Sequence, residues 1–468
     1  MKIIFSCLFI AITIMSYSQT IIIPDVNFKN ALINENVADL GNGVLVDVDF
    51  NNDNEIQVSE AELVSKLFLG FFEINSLEGI ESFSNLTELY CDHNNLTSLN
   101  LSQNPNIIAV DCFFNDISTI NVSQNLNLIY LNCGLNNLST LDISNNTNLE
   151  YLICERNNLN GINVSNNLNL ISLDCGDNLL SAIDVSNNQN LNLLYCEGNN
   201  LININVSQNL NLERFNCGKN SLNAVDVSNN PNLEVFLCHD NNIDFLDISQ
   251  NLGLETLQCG LNPISTLDIS ANLQLERLIV WYSNFSEIDT SQNLTLITLA
   301  IQNNNLTNLD LSSNINLETL ICSNNQLTSL NIKNGNNLNL QYFEAINNAN
   351  LDCIQVDDFS YANNIKNCSF SPYWCVDSTL IYSENCILST AENNLSNVEI
   401  YPNPALNTIN IQIDKVINRI VIFDVQGNKL LEENRNLNSI DVAGFSSGTY
   451  FLRIFSDEGS IVRKFLIE

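Results

Sequence analysis

Histidine is almost missing from this chain: His93 and His239 are the only two in 468 residues. Neither lies in an H-E-x-x-H, G-x-S-x-G or comparable motif, so no catalytic constellation is spelled out and the chain reads as a non-enzyme. Basic residues are scarce too. Lys and Arg total 16 against 52 Asp and Glu, a formal charge of -36. Such a chain repels a phosphate backbone, which excludes nucleic acid as a partner. Long apolar runs are confined to the first residues. Beyond Met15 nothing approaches the roughly 18 uninterrupted apolar residues of a membrane helix, so no transmembrane segment is expected in the mature chain. The opening "MKIIFSCLFIAITIMSYSQT" has a basic start, an apolar run and small residues at Ser16 and Ser18. That is the pattern of a cleavable secretory signal over residues 1–18.

What the chain does have is a strict period. Cysteines stand at 91, 112, 133, 154, 175, 196, 217, 238, 259 and 322 in one 21-residue register, with Val280 and Ile301 in the two skipped places. Valine and isoleucine neither bridge nor bind metal, so the position is a small apolar slot, filled by a buried free thiol. Stacked parallel strands lie about 4.8 Å apart with side chains pointing the same way, which is poor geometry for a disulfide between neighbours. Around the slot the pattern is L-x-x-L-x-C-x-x-N-x-L-x-x-L-[DN]-[LIV]-S-x-N-x-x, as in "LEYLICERNNLNGINVSNNLN" from Leu149, and twelve consecutive copies begin between Leu86 and Leu317. A fixed period of this kind means a solenoid whose units cover their apolar edges by stacking. Asparagine recurs three places after the slot, at Asn94, Asn115, Asn136 and onward. An inward amide there donates and accepts at once, serving backbone groups where each coil turns. The fold class is therefore mostly β, with the solenoid over residues 67–350.

These residues resemble the leucine-rich repeat superfamily, and the 21-residue form resembles its IRREKO-type class. "LFLGFFEINSLEGIESFSN", from Leu67, is similar to a 22-residue internalin-like unit and is expected to open the array. Before it, residues 19–66 form an N-terminal cap. Within the cap, "DFNNDNEIQVSE" fits a twelve-residue EF-hand-like calcium loop, with Asp49, Asn51, Asp53, the Glu55 carbonyl, Gln57 and Glu60 in ligand places and Asn54 where glycine is usual. Helices are expected near Asp25–Asn36 and Ser59–Phe68, and the bound Ca2+ would be weak and structural. An acidic turn of the same spacing is the alternative.

Residues 351–386 break the register and hold Cys353, Cys368, Cys375 and Cys386, a disulfide-stapled C-terminal cap. Four cysteines allow three pairings. The nested one, Cys353 with Cys386 and Cys368 with Cys375, would close the exposed end of the core, but the sequence does not choose among them. "LDCIQVDD" resembles the closing segment of exported Bacteroidetes repeat proteins. Residues 387–395 read as a linker, and residues 396–468 read as short alternating strands in an antiparallel β-sandwich. "VEIYPNPALNTINIQI", "VIFDVQGNKLL", "GFSSGTYFLRIF" and "VRKFLIE" resemble the type A C-terminal sorting domain of type IX secretion. The resemblance implies passage across inner and outer membranes, contact with the type IX machinery, and a secreted or cell-surface product.

On the first strand of each unit the scaffold leaves some positions free, and there the sequence places Tyr90, Phe113, Phe114, Tyr130, Tyr151, Tyr195, Trp281 and Tyr282 among polar residues. Aromatic anchors among polar groups are what a recognition surface uses, although strands favour aromatics for their own sake. The expected function is binding of a protein or glycan along this face, in adhesion or recognition. A passive structural spacer or coat component is the alternative, and a glycan-active enzyme with carboxylates hidden in the acidic columns is a third reading.

Overall fold

The structure, a computed structural model, describes residues 19–369, 371–386, 398–413, 416–424, 428–434, 437–456 and 459–468. The expected signal peptide at 1–18 and linker at 387–395 lie outside the described residues. The chain divides into two units, Met1–Glu384 and Asn385–Glu468.

In the first unit, three-residue strands repeat in parallel register. Tyr130, Leu131 and Asn132 face Tyr151, Leu152 and Ile153, which face Ser172, Leu173 and Asp174, and so on along a 17-stranded sheet. Period-2 alternation puts the central leucine and the cysteine inside while the flanking residues face out. Leu131, Cys133 and Leu138 are wholly buried, as are their counterparts along the array. All ten register cysteines are free and buried. Desolvation raises their pKa, to about 12 at Cys133 and Cys259. The second side of the coil pairs as strands only near the ends: Ser98–Asn100 with Thr119–Asn121, then a four-stranded sheet starting at Asn308–Asp310.

Two columns of buried asparagine tie coil to coil. In the first, the Asn157 amide donates to Cys133 O and Cys154 O at 2.9 and 3.2 Å, and its oxygen accepts from Leu138 N at 2.8 Å. This column bonds as the sequence implies. The second column, Asn104 to Asn314, is fully buried. Asn146 Nδ2 donates to Val122 O and Asn125 O, at 3.0 and 2.9 Å. In ten members, Asn104 to Asn293, the Oδ1 finds no donor. The exception is Asn314, whose oxygen takes the Thr290 hydroxyl at 2.9 Å. Thr290 stands where other coils carry an aliphatic residue such as Val185 or Val206.

The N-terminal cap begins with the helix Val26–Asn34, its first amides held by Asp25. The other Asp25 oxygen takes Asn75 N and Ser76 N, which pins the cap to the first coil. Ala38–Asp39 pairs antiparallel with Lys66–Leu67 and covers the sheet edge that would otherwise be open. The expected second helix over Ser59–Phe68 is a single turn, Val58–Ala61. Leu67 and Leu69 are buried in alternation, so that segment becomes the first strand, Lys66–Phe68, instead.

Parallel pairing continues beyond Asn350. Tyr373–Val376 adds to Tyr342–Ala345, and Ile381–Ser383 adds to Cys353–Gln355. Trp374, wholly buried, takes the place of the strand leucine, and its indole N–H donates to Leu340 O. Cys368 and Cys375 form a disulfide. Cys353 and Cys386 are disulfide-bonded as well.

The second unit is antiparallel throughout its named strands. A three-stranded sheet orders Glu399–Tyr401, Thr408–Gln412 and Ser439–Asp441. A four-stranded sheet orders Lys429–Glu433, Ile417–Phe423, Gly448–Ser456 and Gly459–Ile467. Their apolar faces share a core that includes Ile409, Ile420, Leu452 and Phe465.

Candidate recognition surface

The eight aromatic residues expected on the strand face fall into four columns. Tyr130 and Tyr151 are direct neighbours at the first strand position. Tyr90 and Tyr195 occupy the third position, in coils far apart along the array. Phe113 and Trp281 come one residue after the slot, and Phe114 and Tyr282 two residues after it. The structure therefore assembles two groups. At the N-terminal end, Phe71 stacks on His93 with ring centroids 4.1 Å apart, and His93 stacks on Phe114 at 5.0 Å. Phe113 joins the same cluster beside His93. Far along the array, Trp281 meets Tyr282 edge to face at 5.7 Å. Sequence reasoning missed Phe71, and it placed His93 only outside any catalytic motif. The signal was present, because 71, 93 and 114 share the repeat register once the first unit is counted as 22 residues.

The position two after the slot has a further property. It turns the corner of each coil in the left-handed region: Phe71 at φ 67°, His93 at 52°, Phe114 at 54°, Arg156 at 51° and Tyr282 at 50°. Asn303, Asn324 and Gly198 meet the same demand at little cost, and Leu135, Asp177, Lys219, Asp240 and Leu261 meet it in the remaining coils. Phe71 is 71% exposed, Phe114 52% and Tyr282 56%, so core packing does not repay their strain.

One residue earlier, glycine alternates with a large side chain every second coil. The side chains of Glu155, Glu197 and His239 lie back over Gly134, Gly176 and Gly218, while at Gly260 it is chiefly the Trp281 backbone that comes close. A Cβ at Gly218 would sit 2.5 Å from the His239 ring. The effective repeat of this edge is thus two coils, a period the consensus conceals.

Acidic and basic residues share the face, often within one coil, as Glu155 and Arg156 do. Burial, first of all, raises the carboxyl pKa values of Asp111, Asp174 and Glu197. At Asp174 the value reaches about 7, with Glu155, Glu197 and Asp177 adding repulsion. Lys66 pairs with Glu88 at 2.9 Å and Arg156 with Asp177 at 3.3 Å. The exposed Arg214, Lys219 and Arg277 follow in later coils. On the second side, a groove of about 700 Å³ is lined by Phe245, Asp247, Asp268, Glu287 and Asp289. The Asp247, Asp268 and Asp289 carboxylates each hold the backbone N–H of the serine two residues on. This is a local turn device, and together with the same serines' hydroxyls, the larger cause at Asp268, it lowers their pKa.

In the cap loop, Asn54 adopts φ 65°, the left-handed turn that its place requires, and Ile56 is wholly buried. Asp49 accepts from Asp53 N and Asn54 N, while Glu60 accepts from Asn51 N and Gln57 N. Asn51 turns its amide toward Asp53 and Gln57. Glu55 pairs with Lys29 at 2.7 Å, leaving its carbonyl as the group the loop pattern uses. Among the described residues no three His, Cys, Asp or Glu side chains converge as a metal-holding cluster. A cation in this loop would have to draw on carbonyl and amide oxygens beside Asp49, Asp53 and Glu60.

Comparison with known proteins places both units. Residues 399–468 match the family described as the secretion system C-terminal sorting domain. No curated protein matches the chain. Among solved structures, the functional domain of InlJ from Listeria monocytogenes, described as including a cysteine ladder, is 26% identical with a TM-score of 0.59, covering 95% of this chain and 97% of its own. A leucine-rich repeat protein of Leptospira interrogans is 20% identical with a TM-score of 0.57, covering 68% and 97%. The internalin InlF of Listeria monocytogenes is 19% identical with a TM-score of 0.56, covering 78% and 96%. The first unit is a leucine-rich repeat solenoid, and the tail is a type IX sorting domain. The chain is therefore exported, to the cell surface or beyond, and no helix among the described residues is long and apolar enough to cross a membrane.

Proposed function

We propose that the exported array is a non-catalytic binding protein that grips a protein ligand with its strand face and the adjoining corner. The observation that carries this reading is the corner column. Phe71, His93, Phe114 and Tyr282 hold left-handed backbone that asparagine or glycine would adopt at less cost, and three of the four are largely exposed. Leu135, Asp177, Lys219, Asp240 and Leu261 hold the same left-handed corner in other coils, so what sets Phe71, Phe114 and Tyr282 apart is a large ring held out toward solvent at that strained position, which suits an external contact. Exposed aromatic anchors among charged and polar residues are what partner surfaces use. The solenoid supplies a rigid base, and the sorting tail delivers it outside the cell.

The test compares the mature chain with Phe71→Ala/Phe114→Ala and Trp281→Ala/Tyr282→Ala for attachment to protein and glycan arrays, with circular dichroism as the folding control. Loss of protein binding by at least one folded double variant supports the reading. Binding that both leave intact, or binding to glycans alone, overturns it, and no binding at all favours a structural spacer. Release of sugars in a polysaccharide screen would indicate an enzyme instead. We also propose that the Asp49–Glu60 loop takes a weak structural Ca2+, with a dissociation constant on the order of 10⁻⁴ to 10⁻³ M. A thermal midpoint that is identical in chelator and in saturating calcium removes that role.

A further inference from the structure

The first asparagine column runs from Asn94 to Asn348 with a single interruption, Ser283. A regular member makes four bonds. Asn262 donates to Cys238 O, Cys259 O and Gly260 O at 3.0, 3.1 and 3.3 Å, and accepts from Ile243 N at 2.9 Å. Phe285 N finds the same kind of acceptor in Asn304 at 3.1 Å. Ile264 is the residue whose amide should point to position 283, and there the amide oxygen is replaced by a short hydroxyl. Ser283 is 9% exposed, and its Oγ has no partner. The Ile264 N–H therefore loses the acceptor that its counterparts enjoy.

A second bond is removed one coil earlier. The residue after each column asparagine donates to the preceding coil, as Asn242 N does to Leu222 O and Asn284 N to Ile264 O, both at 2.9 Å. Pro263 holds that place between them and has no N–H to give Ile243 O. The corner of the coils from Leu254 to Phe285 is thus cross-linked less than its neighbours, by two independent substitutions. That corner is also where Trp281 lies over Gly260 and where Tyr282 projects in the left-handed conformation.

We propose that residues 280–284 form an adaptable recognition loop, in which Ser283 releases the corner from the asparagine column so that Trp281 and Tyr282 can adjust to a partner. This deepens the binding function proposed above and rests on it, but the release itself is a property of the free chain. Loops that must move on binding are drawn from locally weak regions, and here the weakness has an address.

Hydrogen–deuterium exchange on the mature chain, read by mass spectrometry, tests it without any ligand. The Ile264 amide is expected to exchange at least about tenfold faster than those of Ile243 and Phe285, the consequence of roughly one or more lost hydrogen bonds. Ser283→Asn restores the acceptor and should slow Ile264 to the rate of its counterparts. Asn262→Ser moves the interruption back one coil and should speed Ile243 by a similar factor. If Ile264 is already as protected as its counterparts, the release does not exist. If Asn262→Ser leaves Ile243 unchanged, the column does not control the corner and the proposal fails even where Ser283→Asn does not fold. Unimpaired binding by Trp281→Ala/Tyr282→Ala would overturn the recognition role while leaving the exchange result standing, so the two failures are distinguishable.

Discussion

Val185→Thr should stabilise this protein, although burying a threonine hydroxyl in an apolar core ordinarily costs about 1–3 kcal/mol. Val185 is wholly buried, and it stands 24 residues before Asn209, whose Oδ1 is buried without a donor. The same 24-residue step separates Thr290 from Asn314, where the hydroxyl reaches the amide oxygen at 2.9 Å. Valine and threonine are nearly isosteric, so a threonine at 185 needs no repacking to make that bond. The new hydroxyl is satisfied, which cancels most of its desolvation cost, and it also relieves an acceptor that was already buried. A neutral hydrogen bond contributes about 1 kcal/mol net, so a gain of about 0.5–1 kcal/mol is expected. Val110→Thr, in a wholly buried strand position, is the control and should lose about 1–2 kcal/mol. Thr290→Val should lose about 1 kcal/mol. The measurement is the guanidinium midpoint of the mature chain and its variants, compared at equal denaturant slope, because long repeat arrays do not always unfold in one step. If Val185→Thr is as destabilising as Val110→Thr, the second asparagine column has been misread. Its oxygens would then be satisfied in another way.

Three further outcomes are expected. Asn178→Ala removes an amide that serves Cys154 O, Cys175 O and Leu159 N, and by equilibrium unfolding it should cost about 3 kcal/mol, where a surface asparagine such as Asn187 should cost less than about 0.5. The native chain at pH 8 should leave its ten register thiols unlabelled by a thiol reagent, since burial raises their pKa, and all should react in denaturant; labelling of the native form would refute the buried column. Asp174 binds its proton more tightly folded, at about 7, than an ordinary aspartate does at about 3.9. Its contribution to stability is therefore best below pH 4 and is lost as pH rises through 7. Asp174→Asn should then raise stability at pH 8 by about 2–4 kcal/mol and flatten the profile between pH 4 and 7. An unchanged profile would place the carboxylate in water.

The period, the inward set and the inert thiols were legible before any coordinates, because in a stacked array each residue's neighbours are its own counterparts one repeat away. Val280 and Ile301 in the cysteine slot were enough to exclude ligands and bridges there. The same logic named Asn94 and its column as scaffold. The tail was legible from alternating strands and its quoted motifs. It was less useful where the register shifts: Lys66–Phe68 looked helical beside the EF-hand-like acidic loop, and Tyr373–Val376 hid a further coil behind four cysteines.

Outward residues are a different matter, since nothing in a local period says which of them touch. The sequence by itself determined that there is a solenoid, which face of each strand is buried and where the free positions lie, because those follow from alternation and stacking alone. Only the tertiary structure decided that Phe71, His93 and Phe114 form one stack while Trp281 and Tyr282 stand apart. It also decided that alternate glycines make room for the next side chain and that ten buried amide oxygens go unpaired. These depend on the pitch and corner geometry of real coils, where shifts of a few tenths of an ångström determine whether two groups meet.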